Sequence, residues 1–319
     1  MMMKAQISFS LFLLVTVNLL AQNPIIPGKG VCDPHIKIFN NKAYLYATHD
    51  FSVDNKGFVM KDWWIWSSDD LVNWKHEATI DPADTYIGPL NSCWAVDAEE
   101  KNGFYYLYVS AGPENIGVLR SKTPTGPWES PLDCHLLTCK SAKTTARDPA
   151  IFTDEKGDSY ILFGVWDFYI AKLNDDMISL AEKPRKLKIK NPRGPYNLDG
   201  KNKKQPTDDK VDIQKYMGKY YLSWGAFYAM SDNLYGPYKC KGAFINEENV
   251  APEFRNQDLT HDRHGKFFEW NGQWYFACND MSQPGSHGVF RNSIISYVYY
   301  KENGEIEPII IDKDGVGRK

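Results

Sequence analysis

A short hairpin recurs five times along the 319 residues, and this repeat constrains the fold more tightly than any other feature. Its second strand reads Ala43-Tyr44-Leu45-Tyr46, Phe104-Tyr105-Tyr106-Leu107-Tyr108, Ser159-Tyr160-Ile161-Leu162-Phe163, Lys219-Tyr220-Tyr221-Leu222-Ser223 and Gln273-Trp274-Tyr275-Phe276-Ala277. A turn signal precedes each run: Asn40-Asn41, Asn102-Gly103, Lys156-Gly157, Met217-Gly218 and Asn271-Gly272. Such pairs accept the positive φ of tight hairpin turns, and aromatic residues pack well on a pleated surface. Ahead of the turns lie further apolar strands at residues 36–39, 94–98, 150–152, 211–216 and 266–270. Setting the turns in register places Asp33, Val96, Asp148, Val211 and His264 near the unit starts, 63, 52, 63 and 53 residues apart. A second element recurs downstream at 67–74, 121–128, 172–180 and 231–238, twice with Gly-Pro-aromatic. Repeats of this size, each four short strands, are the spacing of propeller blades. The expected fold is all-β, a single five-bladed β-propeller. A β-sandwich also has many short strands but gives no reason for a fivefold unit. Five units fill residues 31 to about 310, leaving no room for a second domain.

The first 21 residues have a different character. Lys4 precedes a mostly apolar run from Ile7 to Leu20, followed by Ala21. That order of charged, apolar and small residues is the pattern of a secretory signal peptide, too short for a spanning helix. We therefore expect a signal peptide over 1–21, a propeller over 22–319, and a secreted or periplasmic protein with no membrane attachment after cleavage. A formal charge of −3 provides no basic surplus for nucleic acid. Export permits disulfides among Cys32, Cys93, Cys134, Cys139, Cys240 and Cys278, but buried free thiols serve equally well in a domain of this size. The basic, Pro-rich stretch 183–210 reads as a solvated loop between blades three and four. Oligomeric state is not encoded in any of these features.

A propeller gathers the starts of its inner strands around one channel mouth. Asp33, Asp148 and an acid from blade four, distant in sequence, thereby become one candidate carboxylate cluster. Like charges in a confined pocket push pKa values apart, so that one carboxyl stays protonated beside an ionised one. Glycoside hydrolysis needs such a pair, an acid for the leaving oxygen and a base for water. Each Asp also has a plain structural reading as a turn or strand-start cap. Two Asp-Pro pairs at equivalent repeat positions, Asp33-Pro34 and Asp148-Pro149, the second preceded by Arg147, favour function.

Taken in order, Cys32-Asp33-Pro34, residues 67–74, Trp94-Ala95, Arg147-Asp148-Pro149-Ala150, His264-Gly265-Lys266-Phe267-Phe268-Glu269, and Phe290-Arg291-Asn292-Ser293-Ile294 ahead of Gly304-Glu305-Ile306 resemble glycoside hydrolase family 43. These are five-bladed propeller enzymes acting on arabinose-, xylose- or galactose-containing glycans. The resemblance implies that Asp33 is the general base and that Asp148 is the carboxylate tuning and orienting the acid. The family's acid is a Glu opening Glu-Gly-Pro. Counting back from Tyr220-Tyr221-Leu222 reaches Asp209-Lys210-Val211 instead, with Asp208 and Asp212 as neighbours and Glu253 as an outside candidate. The same resemblance implies that His264 contacts a calcium ion in the central channel, against the alternative of a packed histidine without metal, and that Arg291 hydrogen-bonds sugar hydroxyls. His261 and His264, three apart on extended chain, face opposite ways and do not form a shared zinc site. Trp94, at an inner-strand start, is the tryptophan expected to stack on a sugar. The implied activity is an exo-acting, inverting hydrolase of the α-L-arabinofuranosidase or β-xylosidase type with a carbohydrate as its only expected partner. The missing Glu-Gly-Pro keeps a glycan-binding propeller without hydrolysis as the second reading.

Overall fold

The structure is a computed structural model that describes residues 22–255, 260, 262–284 and 287–316. Its described residues form twenty strands in five sheets around a central channel. Blade one consists of β1 (Val31–Phe39), β2 (Lys42–His49), β3 (Trp63–Ser68) and β4 (Lys75–Ile80). Blade two follows with β5 (Cys93–Lys101), β6 (Phe104–Ala111), β7 (Asn115–Ser121) and β8 (Leu137–Thr138), and blade three with β9 (Ala150–Thr153), β10 (Ser159–Phe163), β11 (Tyr169–Lys172) and β12 (Arg185–Lys186). In blade four, β13 (Ile189–Lys190) pairs in parallel with the outer edge of β17 (Tyr238–Ala243), beyond β14 (Val211–Tyr216), β15 (Lys219–Trp224) and β16 (Phe227–Ser231). Blade five holds three strands, β18 (Gly265–Trp270), β19 (Gln273–Asp280) and β20 (Asn292–Val298).

Local chemistry explains the hairpins. The turn residues Asn40 and Asn41, Asn102 and Gly103, Met217 and Gly218, and Asn271 and Gly272 all take positive φ, as a two-residue turn matching the strand twist requires. Blade three differs from this pattern. Its Asp154–Asp158 turn is longer and is capped by the Asp154 carboxylate accepting from the Lys156 and Asp158 N–H groups.

Blade five departs from four strands because residues 23–25 complete it. Ile25 N–H donates to Ser293 O at 3.0 Å, and Asn23 exchanges two side-chain hydrogen bonds with the Ile295 backbone at 2.9 and 3.0 Å. The free edge of β20 is thereby covered, which ties the start of the chain to its last blade. Between blades, aromatic and aliphatic side chains form the cores, as where Phe244, Phe267 and Phe276 meet across blades four and five. All six cysteines are free thiols, with Cys32, Cys93 and Cys278 buried.

The channel is filled by paired charges. Lys266 Nζ lies 3.1 Å from Asp97 Oδ2 and 2.8 Å from Asp212 Oδ1, while His35 Nδ1 sits 2.9 Å from Asp97 Oδ1, all essentially buried. Buried charges of this kind persist only when paired. Asp212 is therefore part of the channel's structural ion pairs and does not reach the mouth.

Candidate active site

At one mouth of the channel lies a pocket of about 270 Å³, with Asp33, Asp148, Asp208, Asp209, Asp262 and His264 around its base. Each of these groups is delivered by the backbone just before, or at, an inner strand. Asp33, Asp148, Lys210 and Asp262 all have left-handed φ values between 47° and 55°. Non-glycine residues take that conformation at a cost, Asp among the more tolerant, and it clusters at functional sites. The repeat thus yields a recurrent kink at the strand starts of blades one, three, four and five. In blades one and two the β1–β2 and β5–β6 registers also shift at Cys32/His35 and Trp94/Val96, bulges that re-aim side chains toward the mouth.

Asp33 is buried and held on three sides. Arg291 Nη1 lies 3.1 Å from its Oδ1, Asn279 Nδ2 donates to the same oxygen at 2.8 Å, and His264 Nδ1 is at 3.3 Å. Burial alone would raise this carboxyl, but Arg291, then His264 and Asn279, hold it well below the ordinary carboxylate range. A permanently ionised carboxylate suits a base. Arg291 itself is 2% exposed and spends its nitrogens on carboxylates, with Nε 3.0 Å from Asp50 and Nη1 3.2 Å from Asp262. It lines the pocket, but its donors fix Asp33 rather than wait for hydroxyls.

Asp209 lies in the pocket, as the register count requires, but between two cations. Arg147 Nη2 is 2.9 Å from Oδ2, and His264 Nε2 is 2.5 Å from Oδ1. Burial would raise it, yet His264 and then Arg147 hold it well below the usual range. Asp209 is therefore held ionised despite the acids around it, because His264 and then Arg147 outweigh burial and the charge of Asp33. Lys210 turns down the channel, its Nζ 3.4 Å from the Pro149 carbonyl, and does not compete. The neighbouring Asp208 has the opposite character. Burial, then the charge of Asp209, pushes its pKa well up, and its Oδ2 is buried without a hydrogen-bond partner among the described residues. Asp148 is raised too, by burial and then by Asp209, and receives the Lys210 N–H on Oδ2 at 3.4 Å. Glu253 is exposed on a one-turn 3₁₀ helix and does not line the pocket.

His264 joins the two halves of the site. Burial would lower its pKa, but Asp209 and then Asp262 raise it well above the usual value. Asp262, whose own carboxyl is raised by burial, escaped the sequence reading. Two residues before His264, it was legible by the same alternation that separates His261 from His264; His261 lies outside the described residues. Carboxylate and imidazole donors close enough to share a metal ion are Asp33 with Asp262 and His264, and Asp208 with Asp209 and His264, each set within 4.8 Å.

The walls are aromatic. Trp94 lines the pocket with its Nε1 donating to Phe58 O at 3.3 Å and the Arg147 guanidinium 5.1 Å from its ring centre, which leaves ring surface toward the pocket. Trp63 instead is buried, donating from Nε1 to Trp94 O at 2.8 Å. Phe58, Trp166 and Tyr196 complete the rim; none carried a sequence signal beyond its type.

Proteins similar to this chain in sequence and fold are glycosidases. The model of the glycosyl hydrolases family 43 matches residues 21–306. A xylosidase/arabinosidase of Bacteroides ovatus is 26% identical over 330 residues, covering 88% of this chain and 95% of its own length. A β-D-galactofuranosidase of Aspergillus niger is 28% identical, covering 94% of this chain and 88% of its own. Among solved structures, a β-xylosidase/α-arabinofuranosidase from a compost metagenome, in complex with xylotriose and in calcium-free form, superposes with a TM-score of 0.75 at 27% identity, covering 91% of this chain and 97% of that one. With the match spanning nearly the whole propeller, the chain belongs to family 43 of the glycosyl hydrolases and is a glycosidase of the five-bladed β-propeller type.

Proposed function

We propose that the protein is an exported, inverting exo-hydrolase that removes terminal arabinofuranose or xylose units from a glycan, with Asp33 as base and Asp208 as proton donor. The observation that carries this reading is the pairing, in one pocket, of a carboxyl held ionised by Arg291 with another pushed toward its protonated form by burial. A pocket of about 270 Å³ suits one terminal sugar rather than a chain running through, which supports exo action. The arabinose and xylose specificity follows the relatives' activities.

Asp33 takes a proton from a water that attacks the anomeric carbon, and the Asp208 proton goes to the departing oxygen. His264 stands between Asp33 and Asp209, one ring nitrogen facing each, so those carboxylates are kept a ring-width apart. Arg147 bridges Asp148 and Asp209, 3.6 and 2.9 Å away, and so fixes Asp209 as an anion beside Asp208. The Asp209 charge in turn helps Asp208 keep its proton. Trp94 offers its ring to the sugar face. Asp33 and Asp262 would offer a calcium ion carboxylate oxygens, the hard donors it takes, with His264 a ligand only in its neutral form, and the ion would add its positive charge to that of Arg291 there. Residues 1–21 are the export signal and 22–319 the mature chain.

The test is a panel of aryl α-L-arabinofuranosides and β-xylosides, with the anomer of the first product followed by NMR. Expected are turnover with inversion and, for Asp33→Asn, a loss of about 10²–10⁴-fold in kcat with the far-UV circular dichroism of the native fold retained and the melting temperature lowered, since Arg291 and His264 lose a carboxylate. Retention of configuration, or binding of the sugars without turnover, would overturn the assignment. N-terminal sequencing of the exported protein checks the cut after residue 21.

A further inference from the structure

We infer that the cleft between blades three and four binds the rest of the glycan beyond the cleaved sugar, and that this glycan carries anionic groups, carboxylates or sulfate esters. The inference rests on the catalytic pocket taking the terminal sugar. Residues 183–204 contain nine Lys and Arg and a single acid, Asp199, whereas the rest of the chain holds 28 basic against 39 acidic side chains. The positive charge of this acidic protein is thus concentrated in one segment, and the fold places that segment beside the active site.

Its conformation orders the charges. Leu187 is 3% exposed and Ile189 is half-buried in the core between the blades, while Leu187 N–H bonds Phe168 O and Tyr238 N–H bonds Lys188 O, both at 2.8 Å. An extended chain anchored on alternate residues presents the intervening ones on its other face. Those are Lys186, Lys188 and Lys190, all three exposed, and together with Leu187 and Ile189 they line a cleft of about 410 Å³. Lys186 is paired with Asp167. Lys188 and Lys190 are exposed and have no carboxylate within ion-pair distance among the described residues.

Trp166 connects the cleft to the catalytic pocket, lining both. Its φ of 63° is left-handed, costly for a bulky residue. The conformation is held by Trp166 N–H donating to Asp208 O at 3.0 Å and Thr207 Oγ1 donating to Trp166 O at 2.7 Å. The Tyr196 ring meets the indole edge-on at 5.4 Å. The strained residue therefore sets an aromatic surface at the boundary between the two cavities, next to Asp208, where the leaving sugar must emerge. A neutral arabinose or xylose polymer offers the two unpaired ammonium groups there only hydroxyl and ring oxygens; a glycan with acidic substituents also offers them counter-charge.

The test measures binding by calorimetry, at about 20 mM and 0.5 M salt, to a xylo-oligosaccharide bearing one uronic acid, to the same compound with its carboxyl reduced to the alcohol, and to a sulfated analogue. Tighter binding of an acidic probe than of the neutral one, by about three- to tenfold at low salt and closing at high salt, is the expected result. The Lys188→Gln/Lys190→Gln double variant should lose that preference while keeping its melting temperature and its kcat/KM on a neutral aryl glycoside. Whichever acidic probe is favoured identifies carboxylate or sulfate as the group read. Equal binding of all three probes, or a preference that survives in the double variant, would overturn the inference. The aryl glycoside reports separately on the pocket, so preferential binding without turnover would refute the proposed hydrolysis and leave the cleft assignment standing.

Discussion

Replacing Asp208 and Asp209 one at a time by Asn should move activity and stability in different directions. The Asp208 carboxyl is 3% exposed, its Oδ2 lacks a hydrogen-bond partner among the described residues, and the strongest charge acting on it is the anion of Asp209. Its folded pKa lies above its unfolded one. The native state therefore keeps a proton that the unfolded chain has already released, and stability falls as pH rises from the unfolded toward the folded value, staying lower above it. Asp208→Asn removes that burden, so the gain should be absent near pH 3 and should grow as pH rises above the unfolded value. Each pH unit over which the native state alone keeps the proton costs about 1.4 kcal/mol, which for a chain of this size is a rise in Tm of about 3 °C per unit in the variant. Asp209→Asn instead strips a partner from Arg147 and His264. A broken buried pair costs about 3–5 kcal/mol, and with Asp209 a fifth exposed we discount this to about 1–3 kcal/mol of lost stability. The kinetic assay uses two substrates, one with an alkyl or sugar leaving group and one with dinitrophenyl. Loss of the proton donor in Asp208→Asn should cost about 10²–10⁴-fold on the first and about tenfold or less on the second. Asp209→Asn should affect both similarly. Leaving-group dependence in Asp209→Asn alone, or unchanged hydrolysis of the poor leaving group by Asp208→Asn, would refute the reasoning and return the proton to Asp209.

Arg291→Lys should move the acid limb of kcat/KM upward in pH, because the leading cation holding Asp33 ionised is replaced by one that cannot reach Asp33, Asp50 and Asp262 together; a pH–rate profile checks this. Lys266→Met should cost about 3–5 kcal/mol in urea unfolding by leaving Asp97 and Asp212 unpaired in the channel, without the leaving-group dependence of an active-site change. Asn23→Ala should lower stability by about 2–3 kcal/mol, since Ile295 loses both partners at the edge of blade five, and hydrogen exchange at Ile295 should accelerate first.

The blades were legible because their determinants are local. Two-residue turns need positive φ, which Asn and Gly supply, and the aromatic runs beside them pair at once with their neighbours. Repetition then counted the blades, and register alone brought Asp33, Asp148 and the Asp208–Asp209 pair to one mouth. The closure of blade five by residues 23–25 could not be read this way, because Asn23 meets a strand 272 residues away. The charged state of each site residue was hidden for the same reason. Arg291 reaches Asp33 across 258 positions and Asp50 across 241, and Arg147 reaches Asp209 across 62. Register in the sequence reached Asp209 as the acid, with Asp208 and Asp212 as neighbours and Glu253 outside, and nothing local ranked them further. The fold gave Asp209 ion pairs with His264 and Arg147 and gave Asp208 none of its own among the described residues, and since the proton follows local charge and burial rather than position in the chain, only the tertiary structure decides which of them can hold it.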